Sequence, residues 1–201
     1  MSNAASDIEI NIAPVHDIEE RKPEQGIGLC LSGGGYRAMI FHLGALIRLN
    51  ETSYLSKLKR ISSVSGGSIT AAMLGLKWSS LNFKNGVALN LRTEVIAPIR
   101  NFAHHTVDVS SIIIGLLPGP TINGRVIHAY GKYLFGDATL QDLPNDPPRF
   151  VINATNVQSG ALVRFSKPYI RDYKVGEIRK PTIPLSVAVA ASSAFPPFLS
   201  P

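Results

Sequence analysis

The chain has 201 residues, 45% of them hydrophobic and 17% charged, which excludes a disordered polymer and gives room for one core rather than two independent domains. Its net charge of +6 favours anionic partners such as phospholipid surfaces or nucleic acid, but the basic residues are scattered and not interleaved with aromatics, so charge selects neither. The single cysteine, Cys30, excludes a disulfide framework and points to a reducing compartment.

Residues 1–25 are polar and weakly periodic and read as a mobile lead, with Ser2-Asn3-Ala4 a tag remnant and no signal-peptide character. No stretch reaches the roughly 18 apolar residues of a membrane span. "GIGLCL" at 26–31 reads as a buried parallel strand. From Tyr36 to Asn50, apolar Ile40, Leu43, Leu46 and Ile47 recur at helical spacing. "LKRISSV" at 58–64 is a second strand and Gly66–Trp78 a second helix. A helix is expected near 87–103, then an exposed apolar flap, "SSIIIGLLPGP". "INGRVIHAYGKYLFG" is a helix ended by Gly136, "RFVINATNV" and "ALVRFS" are strands joined by a hairpin-like "QSG", and "PLSVAVAASSA" is a helix stopped by Pro196 and Pro197. Strand, glycine turn, helix, strand, tight turn, helix describes an α/β fold with a mostly parallel sheet.

Two motifs compete for the chemistry. Residues 33–38 satisfy G-x-G-x-x-[GA] after a strand, the dinucleotide-binding fingerprint. That reading needs a carboxylate at the end of the second strand to hold a ribose, and this strand ends "RISSVSGG" with none. The same strand end suits a nucleophile elbow. Ser65 sits between strand and helix with Gly66 and Gly67 after it and the small Ser63 two before it, where the usual G-x-S-x-G has glycine. An N-cap serine opening the helix fits Ser65 equally well, and both roles are compatible. Acyl transfer by serine needs N–H donors aimed at the oxyanion. Parallel strands ending side by side would bring Gly33, Gly34 and Gly35 next to Ser65, a conjunction more specific than either motif alone.

"LSGGGYRA" and "SVSGGS" resemble the oxyanion loop and nucleophile elbow of the patatin-like phospholipases, the latter in a form similar to that of the cytosolic phospholipase A2 branch. "LFGDATLQDLP", "INATNVQSGALVRFS" and "VAVAASSAFPPF" resemble later blocks of that family, so the likeness covers most of residues 26–201. The resemblance implies a three-layer α/β/α fold and hydrolysis of phospholipid or related acyl esters by a Ser–Asp dyad without cofactor. It implies Ser65 as nucleophile, an oxyanion hole of Gly33, Gly34 and Gly35 braced by Arg37, and an elbow of Ser63, Gly66 and Gly67. It also implies a cytoplasmic protein that docks reversibly on membranes and takes no nucleic acid; oligomeric state is left open. The family's aspartate lies in a D-G-[GA] motif, and none of the seven aspartates here precedes glycine. Asp108, Asp137, Asp142, Asp146 and Asp172 read as solvated loop carboxylates, and residues 26–201 as a catalytic domain that stops before its base. A non-catalytic lipid-binding module on the same fold is the alternative.

Other residues carry weaker signals. His42 reads as a helix-packing histidine rather than a triad base. His104, His105, Asp108 and His128 match no zinc spacing, so no metal is expected. Trp78 and the apolar flap fit either a bilayer surface or core burial.

Overall fold

The computed structural model describes residues 10–11, 25–104, 122–145 and 147–194. Its site-bearing half is a strand–helix–strand–helix–strand run: β2 (Ile27–Leu31), α1 (Gly35–Glu51), β3 (Leu58–Val64), α2 (Gly66–Lys77) and, later, β6 (Arg149–Thr155). The three strands lie side by side in parallel, with Leu31, Ser63 and Ile152 in register near their C-terminal ends. Two successive crossovers step the same way across the sheet, from β2 to β3 to β6, and α1 and α2 pack together. Leu29, Leu31, Ile61, Ser63, Phe150 and Ile152 occupy one face of these strands by alternation.

α2 is apolar or small all round, as a helix buried on every side must be: Gly66 through Gly75 are all buried. A Cβ on Gly75 would come within 2.7 Å of Leu143, so the absence of a side chain there lets the helix seat against the core. α1 is amphipathic, but its buried stripe is Met39, His42, Leu43, Leu46 and Asn50. The expected stripe is therefore rotated, and Ile40 is exposed. β2 is likewise less enclosed than its apolar sequence suggests. Leu31 is its one buried residue, and Cys30 lies on the opposite face and is exposed. Gly28, Arg60 and Val64 on that same face are exposed as well, so among the described residues the helices cover one side of these strands.

The sheet extends to seven strands in the order β1-β9-β8-β7-β6-β3-β2. The outer strands β7 (Leu162–Phe165), β8 (Tyr169–Asp172), β9 (Gly176–Arg179) and β1 (Ile10–Asn11) pair antiparallel, so parallel pairing belongs to the site-bearing strands. β1 places Ile10 and Asn11 of the expected mobile lead against β9. Between α2 and the next helix, Val87–Ala88 form the strand β5 paired with β4 (Phe83–Lys84), where helix was expected. Asn85 at φ 51° and Gly86 at φ 82° make the two-residue turn that such a hairpin needs. Residues 91–104, α3, are helical and open with a π-helical stretch over Arg92–Ile96. α4 (Ile122–Tyr130) runs into a π-helical segment, Gly131–Phe135, that ends at Gly136 with φ 57°. α5 (Leu185–Ser193) packs against α2, α4 and β6. The apolar flap at 110–120 and the "FPPFLSP" terminus lie outside the described residues. Trp78 is half-buried and packs its ring against Phe83 and Phe150, at 5.3 and 6.1 Å between centroids, which is core burial.

Candidate active site

Strand β3 ends at Val64 and helix α2 begins at Gly66, leaving Ser65 alone to turn the chain. It does so at φ 52°, ψ −121°, outside the regions an L-residue normally occupies, a conformation that costs about 1–3 kcal/mol. Its side chain does not cap α2 and makes no hydrogen bond among the described residues. The hydroxyl is therefore free, which the N-cap role would not leave it.

The two glycine motifs meet in space. A Cβ on Gly66 would overlap the carbonyl of Gly35, one on Gly67 would overlap the carbonyl of Leu31, and one on Gly33 would lie 3.3 Å from the Ser65 Cβ. Gly34 and Gly35 take φ values of 132° and 58°, the left-handed side of backbone space where side chains are strained. Their amides, at the first turn of α1, have no partner among the described residues. The N-termini of α1 and α2 thus converge beside Ser65, and both favour negative charge there.

Beneath the elbow lies a buried hydroxyl network. Ser192, on α5, accepts the Ser65 N–H at 2.9 Å, donates to the Asn153 carbonyl at 2.6 Å and contacts the Ser68 hydroxyl at 2.9 Å. Ser68 donates to Ser63 Oγ at 3.0 Å, and Ser63 donates to the Val151 carbonyl at 3.4 Å. The Asn153 amide donates to Ser62 Oγ at 2.9 Å and to the Ser63 carbonyl at 3.0 Å. Ser63 is 1% exposed, so the serine in place of the usual glycine is small and fully hydrogen-bonded. Ser192 and Asn153 were not expected from sequence; the serine pair in "AASSA" was the available signal.

Ser65 opens onto a cleft of about 190 Å³, lined in large part by Tyr36, Ile69, Phe102, Val126 and Tyr130. Burial pushes the Tyr130 phenol above its ordinary pKa, with the nearby Ser193 hydroxyl acting the other way. Ser193 Oγ, buried at the cleft wall, makes no hydrogen bond of good geometry among the described residues.

Arg37, two positions past the glycine loop, is exposed and makes no ion pair or hydrogen bond among the described residues. His42 is 4% exposed, and its Nε2 pairs with the Ser32 carbonyl at 2.9 Å, fixing the entry to the glycine loop. Asp137 and Asp142 are exposed, and Asp142 is engaged with Thr139. Asp172 departs from the expected solvated loop: it is 6% exposed, on β8, and accepts from Asn156 and the Lys174 amide. None of these carboxylates bonds Ser65, and Asp108, Asp146 and His105 lie outside the described residues. His104 and His128 are exposed, and among the described residues no His, Cys, Asp or Glu cluster could hold a metal.

The sequence profile of the patatin-like phospholipases matches residues 29–201. A structure of human GIVD cytosolic phospholipase A2 in complex with methyl gamma-linolenyl fluorophosphonate and terbium chloride superposes with a TM-score of 0.54 at 18% identity, over 84% of this chain and 29% of that one. A second, with the fluorophosphonate alone, gives a TM-score of 0.51 at 19% identity over 84% and 29%. This chain thus spans under a third of the length of those proteins, and the likeness carries the fold. No curated protein matches. The profile covers most of the chain, from the strand that leads into the glycine loop onward, and the chain belongs to the patatin-like phospholipase family.

Proposed function

We propose that the chain carries the nucleophile of a lipid acyl hydrolase of the phospholipase A or lysophospholipase type. The carrying observation is Ser65, held at φ 52° with an unbonded hydroxyl at the mouth of an apolar cleft and abutted by the Gly33–Gly35 loop. In this reading Ser65 Oγ attacks the ester carbonyl carbon while its proton passes to an aspartate, the second member of a Ser–Asp dyad. The oxyanion is held by the unpaired amides of Gly34 and Gly35, and by Gly66 N–H next to the nucleophile. Collapse breaks the ester C–O bond, the alcohol leaves with the proton, and water then releases the fatty acid from Ser65. The cleft takes the acyl chain. Arg37 is proposed to brace the glycine loop, and the substrate to be drawn from a membrane surface by reversible docking in the cytoplasm. Among the described residues no helix is long and apolar enough to cross a membrane.

A fluorophosphonate ester tests this in the full-length protein. Labelling that maps to Ser65 and disappears in Ser65→Ala is the expected result; labelling that persists in Ser65→Ala overturns the assignment. A folded protein that never labels returns the site to the alternative of a lipid-binding module.

A further inference from the structure

The cleft onto which Ser65 opens is hydrocarbon along most of its wall, supplied by Ile69, Phe102, Val126 and Ala129. Tyr130 and Ser193 interrupt that wall with hydroxyl groups. The two residues end separate helices, α4 and α5, which pack directly against each other. Their side chains lie near enough for the Ser193 hydroxyl to ease ionisation of the phenol. Burial prevails, so the phenol stays protonated at neutral pH and remains a donor.

Adjacent serines on α5 are in opposite situations. Ser192 is fully engaged beneath the elbow, with the Ser65 amide, the Asn153 carbonyl and the Ser68 hydroxyl. Ser193 Oγ is buried without a hydrogen-bond partner, and no other buried side-chain nitrogen or oxygen is left so among the described residues. An unpaired buried hydroxyl destabilises the fold, and alanine at that position would remove the penalty. A polar group that packing does not use, on the wall of the cleft that carries the nucleophile, points to a ligand atom as its partner.

We propose that Ser193 and Tyr130 form a polar spot in the acyl cleft that recognises an oxygen on the acyl chain, so that the substrates are lipid esters of hydroxylated fatty acids. The proposal rests on the reading of Ser65 as the nucleophile of an acyl hydrolase. No hydrogen bond holds Ser193 Oγ in its rotamer, so a turn about χ1 presents it to the cleft at little cost. A chain hydroxyl then accepts from the Tyr130 phenol and donates to Ser193 Oγ, whereas an all-methylene chain leaves both groups unmatched. Sites built to hydrogen-bond a substrate hydroxyl reject the analogue that lacks it for this reason.

The test compares kcat/KM of the full-length protein for a decanoyl ester and for the same ester hydroxylated at successive chain carbons. The parent should favour at least one hydroxylated ester about tenfold, as a hydrogen bond made with one chain and left unmade with the other implies. In Ser193→Ala that ratio should fall to about one while the protein melts at or above the parent temperature. Tyr130→Phe, which keeps the ring, should lower the ratio as well. Calorimetry with decanoate and the hydroxydecanoates on Ser65→Ala reads the same preference without turnover, which separates the polar spot from the chemistry of Ser65. Tenfold tighter binding of a hydroxydecanoate in a protein that hydrolyses no ester would sustain the spot and count against the hydrolase alone. Equal treatment of plain and hydroxylated chains by the parent, or a preference that survives in Ser193→Ala, overturns the proposal. A Ser193→Ala protein that melts well below the parent also overturns it, because the hydroxyl is then structural.

Discussion

Ser192→Ala probes the elbow from behind without touching the nucleophile. The substitution removes one hydroxyl that accepts the Ser65 amide at 2.9 Å, supplies the 2.6 Å bond to the Asn153 carbonyl and contacts Ser68 at 2.9 Å. Ser192 is 7% exposed, so the groups it leaves behind gain little solvent. A lost neutral hydrogen bond costs about 1 kcal/mol net, and an orphaned buried donor about 1–3 kcal/mol. The expected destabilisation is therefore about 2–4 kcal/mol, which for a domain of this size is roughly 5–15 °C in Tm.

A second readout separates the elbow from general packing. Ser65 N–H is protected from hydrogen exchange by Ser192 alone among the described residues, so its exchange should accelerate more than that of the α2 interior. In the full-length protein, fluorophosphonate labelling should slow about tenfold as the strained turn relaxes, since a tenfold change corresponds to about 1.4 kcal/mol of the strain no longer held. Ser192→Thr keeps the hydroxyl and should recover the exchange protection. A Ser192→Ala protein that melts within 1 °C of the parent, with Ser65 exchange unaltered, would refute the proposal that α5 holds the elbow.

Gly66→Ala should prevent stable folding or lower Tm by more than 5 °C, because the new methyl meets the Gly35 backbone, whereas Gly44→Ala, open on exposed α1, should raise stability by about 0.5–1 kcal/mol; comparable melting of the two variants would contradict the packing. His42→Leu removes the partner of the Ser32 carbonyl and should cost about 1–3 kcal/mol in urea unfolding, with an unchanged midpoint as the adverse result. Burial works against ionisation of Asp172, but hydrogen bonds from Asn156 and the Lys174 and Val175 amides outweigh it and hold its pKa below the usual carboxylate range. Its contribution to stability is thus full above the unfolded pKa of about 3.9 and lost as pH falls through the lower folded value. The stability gap between parent and Asp172→Asn should accordingly be constant from about pH 5 to 7 and narrow below about pH 4; a gap that widens on acidification has the wrong sign.

What could be read from sequence was what the local backbone demands. A serine followed by Gly66 and Gly67 at a strand end announces a turn that larger residues cannot make, and β3 and α2 fall on the expected boundaries to within a residue. The β4–β5 hairpin was equally readable in "NG", yet the apolar residues after it suggested a helix that begins only at residue 91. β8 and β9 were hidden for another reason. As outer strands of the sheet they carry Arg171, Asp172, Glu177 and Arg179, and their burial pattern never becomes the continuous apolar run that marks a central strand.

The support of the nucleophile is the least readable part, because it is assembled across the chain. Ser192 lies 127 positions from Ser65, and Asn153 lies 90 from the Ser63 carbonyl it holds. Sequence shows only that the first elbow position is serine where glycine is usual. In the structure that serine's side chain occupies buried space and would cost an unpaired hydroxyl, but Ser68 and the Val151 carbonyl take up its bonds. Ser68 in turn reaches Ser192, which holds the Ser65 amide. The departure at Ser63 is therefore one end of the network that fixes Ser65. A glycine restored at position 63 would remove that end, leaving Ser68 Oγ to rely on Ser192 alone.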